Sequence, residues 1–177
     1  MKKATLLWVD LEMTGLSPVH DRILEVGIVA TDWDLNEIAT MSAVVKVSKK
    51  LIEKRMQGAF WQKNKVVRDE LVKQNQFGKN HKEVERQILA FIKTHFDTKK
   101  PIYLAGNSIH QDQKFIERTF LDLQKLLHYR MLDVSAWKIV FENRFNLPIK
   151  KPDHHRAISD IRGSIEELKT YLCKIKL

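Results

Sequence analysis

The sequence predicts a single α/β domain, with a mixed sheet covered by helices, and three observations lead there. Two β-rich runs, residues 22–31 and 37–47, flank the polar turn Asp32-Trp33-Asp34-Leu35-Asn36, the pattern of an antiparallel hairpin. Beyond the hairpin, short apolar strands alternate with helically spaced apolar residues, which implies a sheet flanked by helices. The 177 residues, 44% hydrophobic and 30% charged, suffice for one sizeable core and are short for two. No repeat, low-complexity tract or linker interrupts them, so residues 1–177 are read as one domain.

Each element has its own signal. Residues 5–10 form a short apolar run, the pattern of a buried strand that finishes at Asp10. Residues 59–76 are helical in outline but weakly patterned. Asn80-His81-Lys82-Glu83 has the form of a capping box, and Val84, Ile88, Phe91, Ile92 and Phe96 follow at helical spacing. Pro101 opens a strand over 102–105, and residues 111–127 read as a helix in two pieces. A strand is expected over 129–134, then a helix capped by Ser135 and running to about Arg144. Residues 147–153, with two prolines, read as a loop. Ile158, Ile161, Ile165, Leu168 and Leu172 define the core face of a final helix.

A formal net charge of +9 favours polyanionic partners, because Lys and Arg attract phosphates. A Lys-rich composition with no such partner has the same charge, so the charge only supports the case. The one cysteine, Cys173, cannot form an intramolecular disulfide and suits a reducing compartment. The apolar run of residues 4–9 stops at Asp10, too short for a signal peptide, and no stretch approaches the roughly 18 apolar residues of a membrane span. A soluble, cytoplasmic protein is expected.

Chemistry gathers on acids. Asp10 and Glu12, two apart on a strand, point to the same face. Acids are rarely buried unless paired or bound to a cation. Asp112 follows a short apolar strand at the start of a helix, where an acid also complements the helix dipole. Sites in α/β sheets collect beyond the carboxyl ends of strands, which is where these three acids fall if their strands are parallel neighbours. Asp160 lies beside the apolar stripe of the last helix, and His155 precedes it by five positions. Five helical residues rotate by about 140°, so the two converge only if His155 sits on the incoming loop. Four acids without a cysteine pair suit hard ions such as Mg²⁺ or Mn²⁺ better than structural zinc. Two such ions can bind the attacking and leaving oxygens of a phosphodiester, and a neutral histidine can take a proton from the attacking water.

These residues carry a family resemblance. Asp10-Leu11-Glu12-Met13-Thr14-Gly15-Leu16 resembles the first motif of the oligoribonucleases, exonucleases with four acids and a histidine on an RNase H-like fold. Residues 106–112 resemble their second motif and residues 155–160 their third, and His128-Tyr129-Arg130-Met131-Leu132-Asp133-Val134-Ser135 is similar to another oligoribonuclease segment. The likeness runs from about Leu6 to the end of the chain.

The resemblance implies a 3′-to-5′ exoribonuclease that degrades short single-stranded RNA, dinucleotides especially, to 5′-mononucleotides. It implies an RNase H-like sheet, two divalent cations held by Asp10, Glu12, Asp112 and Asp160, and His155 rather than His154 as general base. Leu16 would wedge between the two bases, and Trp61 would hold the 3′ base. Ser108, Arg130 and Ser135 would cap the 5′ phosphate, with Tyr129 reaching that site from the second subunit of a homodimer. Three positions depart from the pattern: Val66 stands where many relatives carry histidine, His110 where glycine is common, and Trp137 is bulky for its segment. The departures bear on substrate length, not on hydrolysis. Two rival readings are a proofreading-type single-stranded DNA 3′ exonuclease and a non-catalytic nucleic-acid-binding module. The implied phosphate cap argues against the first and the intact set of acids and histidine against the second.

Overall fold

The computed structural model describes residues 3–148 and 156–175. Strands β1 (Leu6–Met13), β2 (Ile23–Thr31) and β3 (Glu37–Val44) form an antiparallel meander. Strands β4 (Ile102–Gly106) and β5 (Leu127–Asp133) run parallel to β1, and the sheet order is β3-β2-β1-β4-β5. The expected mixed sheet and hairpin are present. The hairpin turn is built by Asp32, whose Oδ1 accepts the Asn36 amide at 3.0 Å, while Leu35 takes the left-handed conformation at φ 61°.

Strand alternation divides the core between the two faces of the sheet. Leu7, Val9 and Leu11 of β1 pack with α4 (His81–His95), α5 (His110–Thr119) and α6 (Leu121–Leu126) through Val84, Ile88, Ile92, Phe115, Ile116 and Leu123. Leu6 and Trp8 face the other way, against α7 (Val134–Phe145) and α8 (Ala157–Lys174), meeting Phe141, Ile161, Ile165 and Tyr171. A smaller cluster of Leu24, Ile52, Met56, Trp61 and Leu71 lies under α1 (Lys49–Arg55), α2 (Ala59–Lys63) and α3 (Lys65–Asn75).

Several boundaries move for physical reasons. Strand β1 does not finish at Asp10: it stays paired with β2 through Glu12↔Glu25 and Met13↔Ile23, with an irregularity between Glu12 and Met13. Residues 59–76 contain two helices, broken at Asn64, and their weak pattern reflects how few of their side chains are buried. Asn80 caps α4 as expected, its Oδ1 accepting the Lys82 amide at 2.9 Å. Ser135 is not the cap of α7. Asp133, the last residue of β5, caps it by accepting the Ser135 amide at 2.9 Å, which frees the serine hydroxyl for other contacts. On α8 the buried residues are Ala157, Asp160, Ile161, Ser164, Ile165, Glu167, Leu168 and Tyr171, with Leu172 exposed, because polar residues occupy part of the covered surface. Of residues 147–153, Leu147 and Pro148 lie outside helix and strand and the rest lie outside the described residues.

One glycine sets how closely α8 approaches the sheet. Gly27 pairs with Asp10 across the β1–β2 ladder, and a Cβ added there would lie 2.6 Å from the Ala157 Cβ and 3.0 Å from its backbone carbon. Any side chain at this position therefore pushes the first turn of α8 away from β1. Gly27→Ala is expected to cost about 1–3 kcal/mol of stability through overpacking. It should also reduce activity more than that loss explains, because the displaced turn carries Asp160. Melting and steady-state assays of the same preparation check this.

Candidate metal centre

Asp10 and Glu12 leave β1 on the face that carries Leu6 and Trp8, towards α8. Asp160 meets them from the first turn of α8. Each of the three acids offers a carboxylate oxygen, and these oxygens lie within 4.8 Å of one another. Asp160 is 8% exposed, so it is not a solvated aspartate. Its Oδ2 accepts the Arg156 amide at 3.1 Å, which ties the carboxylate to the entry of its own helix.

Asp112 adjoins the trio without being one of its members. It is 6% exposed, and its Oδ1 accepts the amide of Leu11 at 3.0 Å, between Asp10 and Glu12 in the chain. Burial, then the neighbouring charge of Asp10, pushes its carboxyl up to about 8. Such a group is poorly placed as a lone anion and well placed beside a cation. Carboxylates packed this closely in a chain of net charge +9 fit hard divalent ions, which offset the mutual repulsion and prefer oxygen ligands. His155 lies outside the described residues. Arg156, which follows it, is extended (φ −135°, ψ 114°) and stands at the N-cap of α8.

The loop between β1 and β2 borders the acids. Its tip residue Leu16 is 74% exposed, and its carbonyl accepts the Gln111 side-chain amide at 2.7 Å. Buried Asp21 organises this loop. Its carboxylate accepts the Thr14 hydroxyl (2.9 Å), the Ser17 amide (3.0 Å) and Arg55 through Nε (2.7 Å) and Nη2 (2.9 Å). Burial alone would raise the Asp21 carboxyl, but these bonds hold it below its ordinary value. A depressed folded value contributes stability above the unfolded value, near pH 4, that is lost as pH falls through the folded one. Asp21→Asn is accordingly expected to cost about 1–3 kcal/mol at pH 7. The difference from wild type should shrink in melts taken at progressively lower pH below 4.

Trp61 does not present an open face. It is 6% exposed, and its indole N–H donates to the Thr14 carbonyl at 3.2 Å, which places it beneath the same loop. The exposed aromatic at this point is Phe60, edge-on to Trp61 with ring centroids 5.0 Å apart. Phe60, Asp21 and Arg156 carry no signal in local sequence that marks them as part of the site. Arg156 joins α8 to α3 through Glu70 (2.9 Å) and lies 3.5 Å from buried Glu25, the cross-strand partner of Glu12. An acid opposite an acid at a strand end was the signal available for Glu25.

A second group forms where β4 and β5 end. Ser108, at φ 49°, donates its amide to Asp133 Oδ1 (3.0 Å) and Ser135 Oγ (2.8 Å), and the two serine hydroxyls are 3.1 Å apart. His110 Nδ1 lies 3.6 Å from Asp133 Oδ2. Ser108 and Ser135, far apart in sequence, thus meet. Tyr129 and Arg130 lie exposed on the edge strand β5, the guanidinium 5.3 Å from the centre of the tyrosine ring. Val66 is 73% exposed at the start of α3, and Trp137 packs partly buried beside Phe141 on α7.

The comparisons agree with this architecture. The exonuclease family RNase_T matches residues 7–168. The chain is 38% identical to the oligoribonuclease of Thiobacillus denitrificans, over 94% of its own length and 92% of the relative's. It is 37% identical to that of Hahella chejuensis, over 96% and 94%. Among solved structures it resembles the zinc-bound E. coli ExoI–ssDNA complex, with a TM-score of 0.63 at 16% identity, and an apo exonuclease I, with a TM-score of 0.64. It covers 95% of this chain in each case but only 40% and 42% of those longer chains, and the likeness shows the RNase H-like exonuclease fold alone. Two acids on β1, a third on α5 and a fourth on α8 are thus set in a fold and a full-length sequence likeness that agree, and the chain belongs to the oligoribonucleases of the exonuclease family.

Proposed function

We propose that this 3′-to-5′ exoribonuclease of short oligoribonucleotides works chiefly on dinucleotides, releasing 5′-mononucleotides, with Asp10, Glu12, Asp112 and Asp160 holding two ions of Mg²⁺ or Mn²⁺. The observation that carries this reading is the meeting of Asp10, Glu12 and Asp160 oxygens within 4.8 Å, with Asp112 fixed against them by the Leu11 amide. Bound divalent ions supply Lewis acidity at the phosphoryl oxygens and at the attacking and leaving oxygens. The protein supplies the rest. His155 accepts a proton from the attacking water on an imidazole nitrogen. Leu16, fixed by Gln111 and by the Asp21 bonds behind it, separates the two bases. Trp61 supports the 3′ base from beneath that loop. Ser108, Ser135 and Arg130 receive the 5′ phosphate, a group that a guanidinium binds well.

A homodimer in which Tyr129 completes the partner's phosphate site is supported by two features. Tyr129 stands 73% exposed on an edge strand. Helix α7 exposes Ile139, Val140 and Phe145 beside an apolar groove of about 590 Å³ lined by Trp137, Phe141, Leu147 and Ile175. No helix among the described residues is long and apolar enough to cross a membrane, and a cytoplasmic location suits the lone thiol.

Labelled RNAs two to seven nucleotides long, with a single-stranded DNA arm, test the reading. Dinucleotide RNA should be consumed fastest, and EDTA should stop all cleavage. Equal turnover of DNA and long RNA, or cleavage in EDTA, would overturn it. Leu16→Ala should raise KM for dinucleotides about tenfold, from lost apolar contact with the bases, with a smaller change in kcat. Sedimentation at micromolar concentration should show the dimer.

A further inference from the structure

Helix α8 buries a carboxylate that the metal centre does not use. Glu167 is 3% exposed, and among the described residues no basic side chain pairs with it. Burying an acid in this way is costly, and an apolar residue would pack the same helix face without that cost. Both oxygens are instead spent on neutral donors: Oε1 accepts the Tyr171 hydroxyl at 2.8 Å and Oε2 the Asn107 side-chain amide at 3.1 Å. Burial, reinforced by this carboxylate, pushes the Tyr171 phenol far above its ordinary value, so it remains a donor.

The chain of bonds leads somewhere specific. The second proton of the Asn107 amide goes to Ser164 Oγ at 3.0 Å, and Ser164 donates to the Asp160 carbonyl at 2.9 Å. Both amide protons are thereby used, which fixes which way the amide faces; a flipped amide would set its carbonyl against a carboxylate. The Asn107 oxygen is left to face Ser135, whose hydroxyl donates to it at 3.4 Å. That bond fixes the direction in which the Ser135 hydroxyl points. Ser135 Oγ meanwhile stays anchored by the Ser108 amide at 2.8 Å. Ser108 itself is held in the left-handed region, a strained conformation for serine that its neighbours must over-determine.

We propose that Glu167 and Asn107 are positioning residues that set the Ser108–Ser135 pair for the 5′ phosphate, and thereby set the enzyme's preference for two-nucleotide substrates. The inference rests on the phosphate-cap reading given above. Glu167 lies about 10 Å along α8 from Asp160. One helix therefore carries both the metal ligand and, through Asn107, the far end of the substrate site. Fixing both ends from one rigid element makes the distance between them a gauge of substrate length.

Steady-state kinetics on a 5′-phosphorylated dinucleotide, its 5′-hydroxyl counterpart and a five-nucleotide RNA test this. Asn107→Ala and Glu167→Leu should each raise KM for the phosphorylated dinucleotide about tenfold, with a much smaller change in kcat. The preference for that substrate over the other two should shrink by the same factor. Tyr171→Phe should act in the same direction and more weakly. Equal loss on all three substrates, or a fall in kcat alone, would mean a purely structural role and would overturn the proposal. Ser135→Ala, measured alongside, separates the two layers. If it abolishes the phosphate preference while Asn107→Ala leaves it intact, only the positioning role fails. If it leaves the preference intact, the cap reading fails and the positioning role with it. Melting curves establish that each variant is folded, and Asn107→Ala decides the matter if Glu167→Leu is not.

Discussion

Asp112→Asn is expected to lower kcat by at least about a thousandfold and, in metal-free buffer, to raise the melting temperature. The two effects share one cause. Losing a charged ligand in a two-ion site removes several kcal/mol of transition-state stabilisation, and a thousandfold corresponds to about 4 kcal/mol. Asparagine keeps the side-chain oxygen that accepts the Leu11 amide, so the loop geometry survives. Without a cation the native aspartate is a liability, because burial and the Asp10 charge push it up to about 8. A carboxyl whose folded value lies above its unfolded value near 4 gives stability that is fully present below pH 4 and is lost as pH rises through 8. Metal-free wild type should therefore lose on the order of 3–5 kcal/mol between pH 4 and pH 9 from this group. The asparagine variant should lack that slope. Added Mn²⁺ should stabilise the wild type more than the variant, since the ion binds only the folded state. Melts of both proteins at pH 4, 6 and 9, with and without Mn²⁺, check these differences. Full activity in Mn²⁺, or identical pH slopes, would remove Asp112 from the ion site.

What could be read from the sequence followed short-range rules. Asp10 and Glu12 were legible as a same-face pair because alternation along a strand is a two-residue regularity, and β1 obeys it even beyond its expected end. The hairpin was legible in the same way from its turn residues. Asp112 and Asp160 were legible as candidates, but their burial was not. It depends on α5 and α8 crossing the sheet ends, and for α8 on the space left by Gly27, a residue that looks like any other small strand residue in sequence. Ser135 was misread as a helix cap because Asp133, two residues earlier, is an equally good capping residue and local preference cannot choose between them. The final helix illustrates the limit most clearly. An apolar stripe ending at Leu172 was assigned to the core, whereas the covered face carries Asp160, Ser164 and Glu167 and ends at Tyr171. Polar residues in a covered face have no signature in hydrophobic periodicity, and Ser164 and Glu167 meet Asn107 from far away in the chain. Asp21 escaped notice for the same reason, its main partner Arg55 being on α1.

His155→Ala is expected to lower kcat by about 10²–10⁴-fold and to flatten the acid side of the pH–rate profile, while His154→Ala does neither. Arg156, the next residue in sequence after His155, is extended and donates its amide to the Asp160 carboxylate. An imidazole accepts a proton only when neutral, and its ordinary value is about 6.5. Wild-type turnover should thus fall as pH drops into the range where an imidazole takes up its proton. With the imidazole gone, that limb disappears, because the remaining rate uses water itself as base and no longer follows the protonation of a side chain. KM for a dinucleotide should change little, since a proton acceptor for the attacking water contributes to the transition state rather than to ground-state binding. The adjacent histidine is the internal control: it shares residue type, charge and local sequence with His155 and differs by one position. A profile whose acid limb survives His155→Ala, or a deep loss in His154→Ala, would move the general base to another residue.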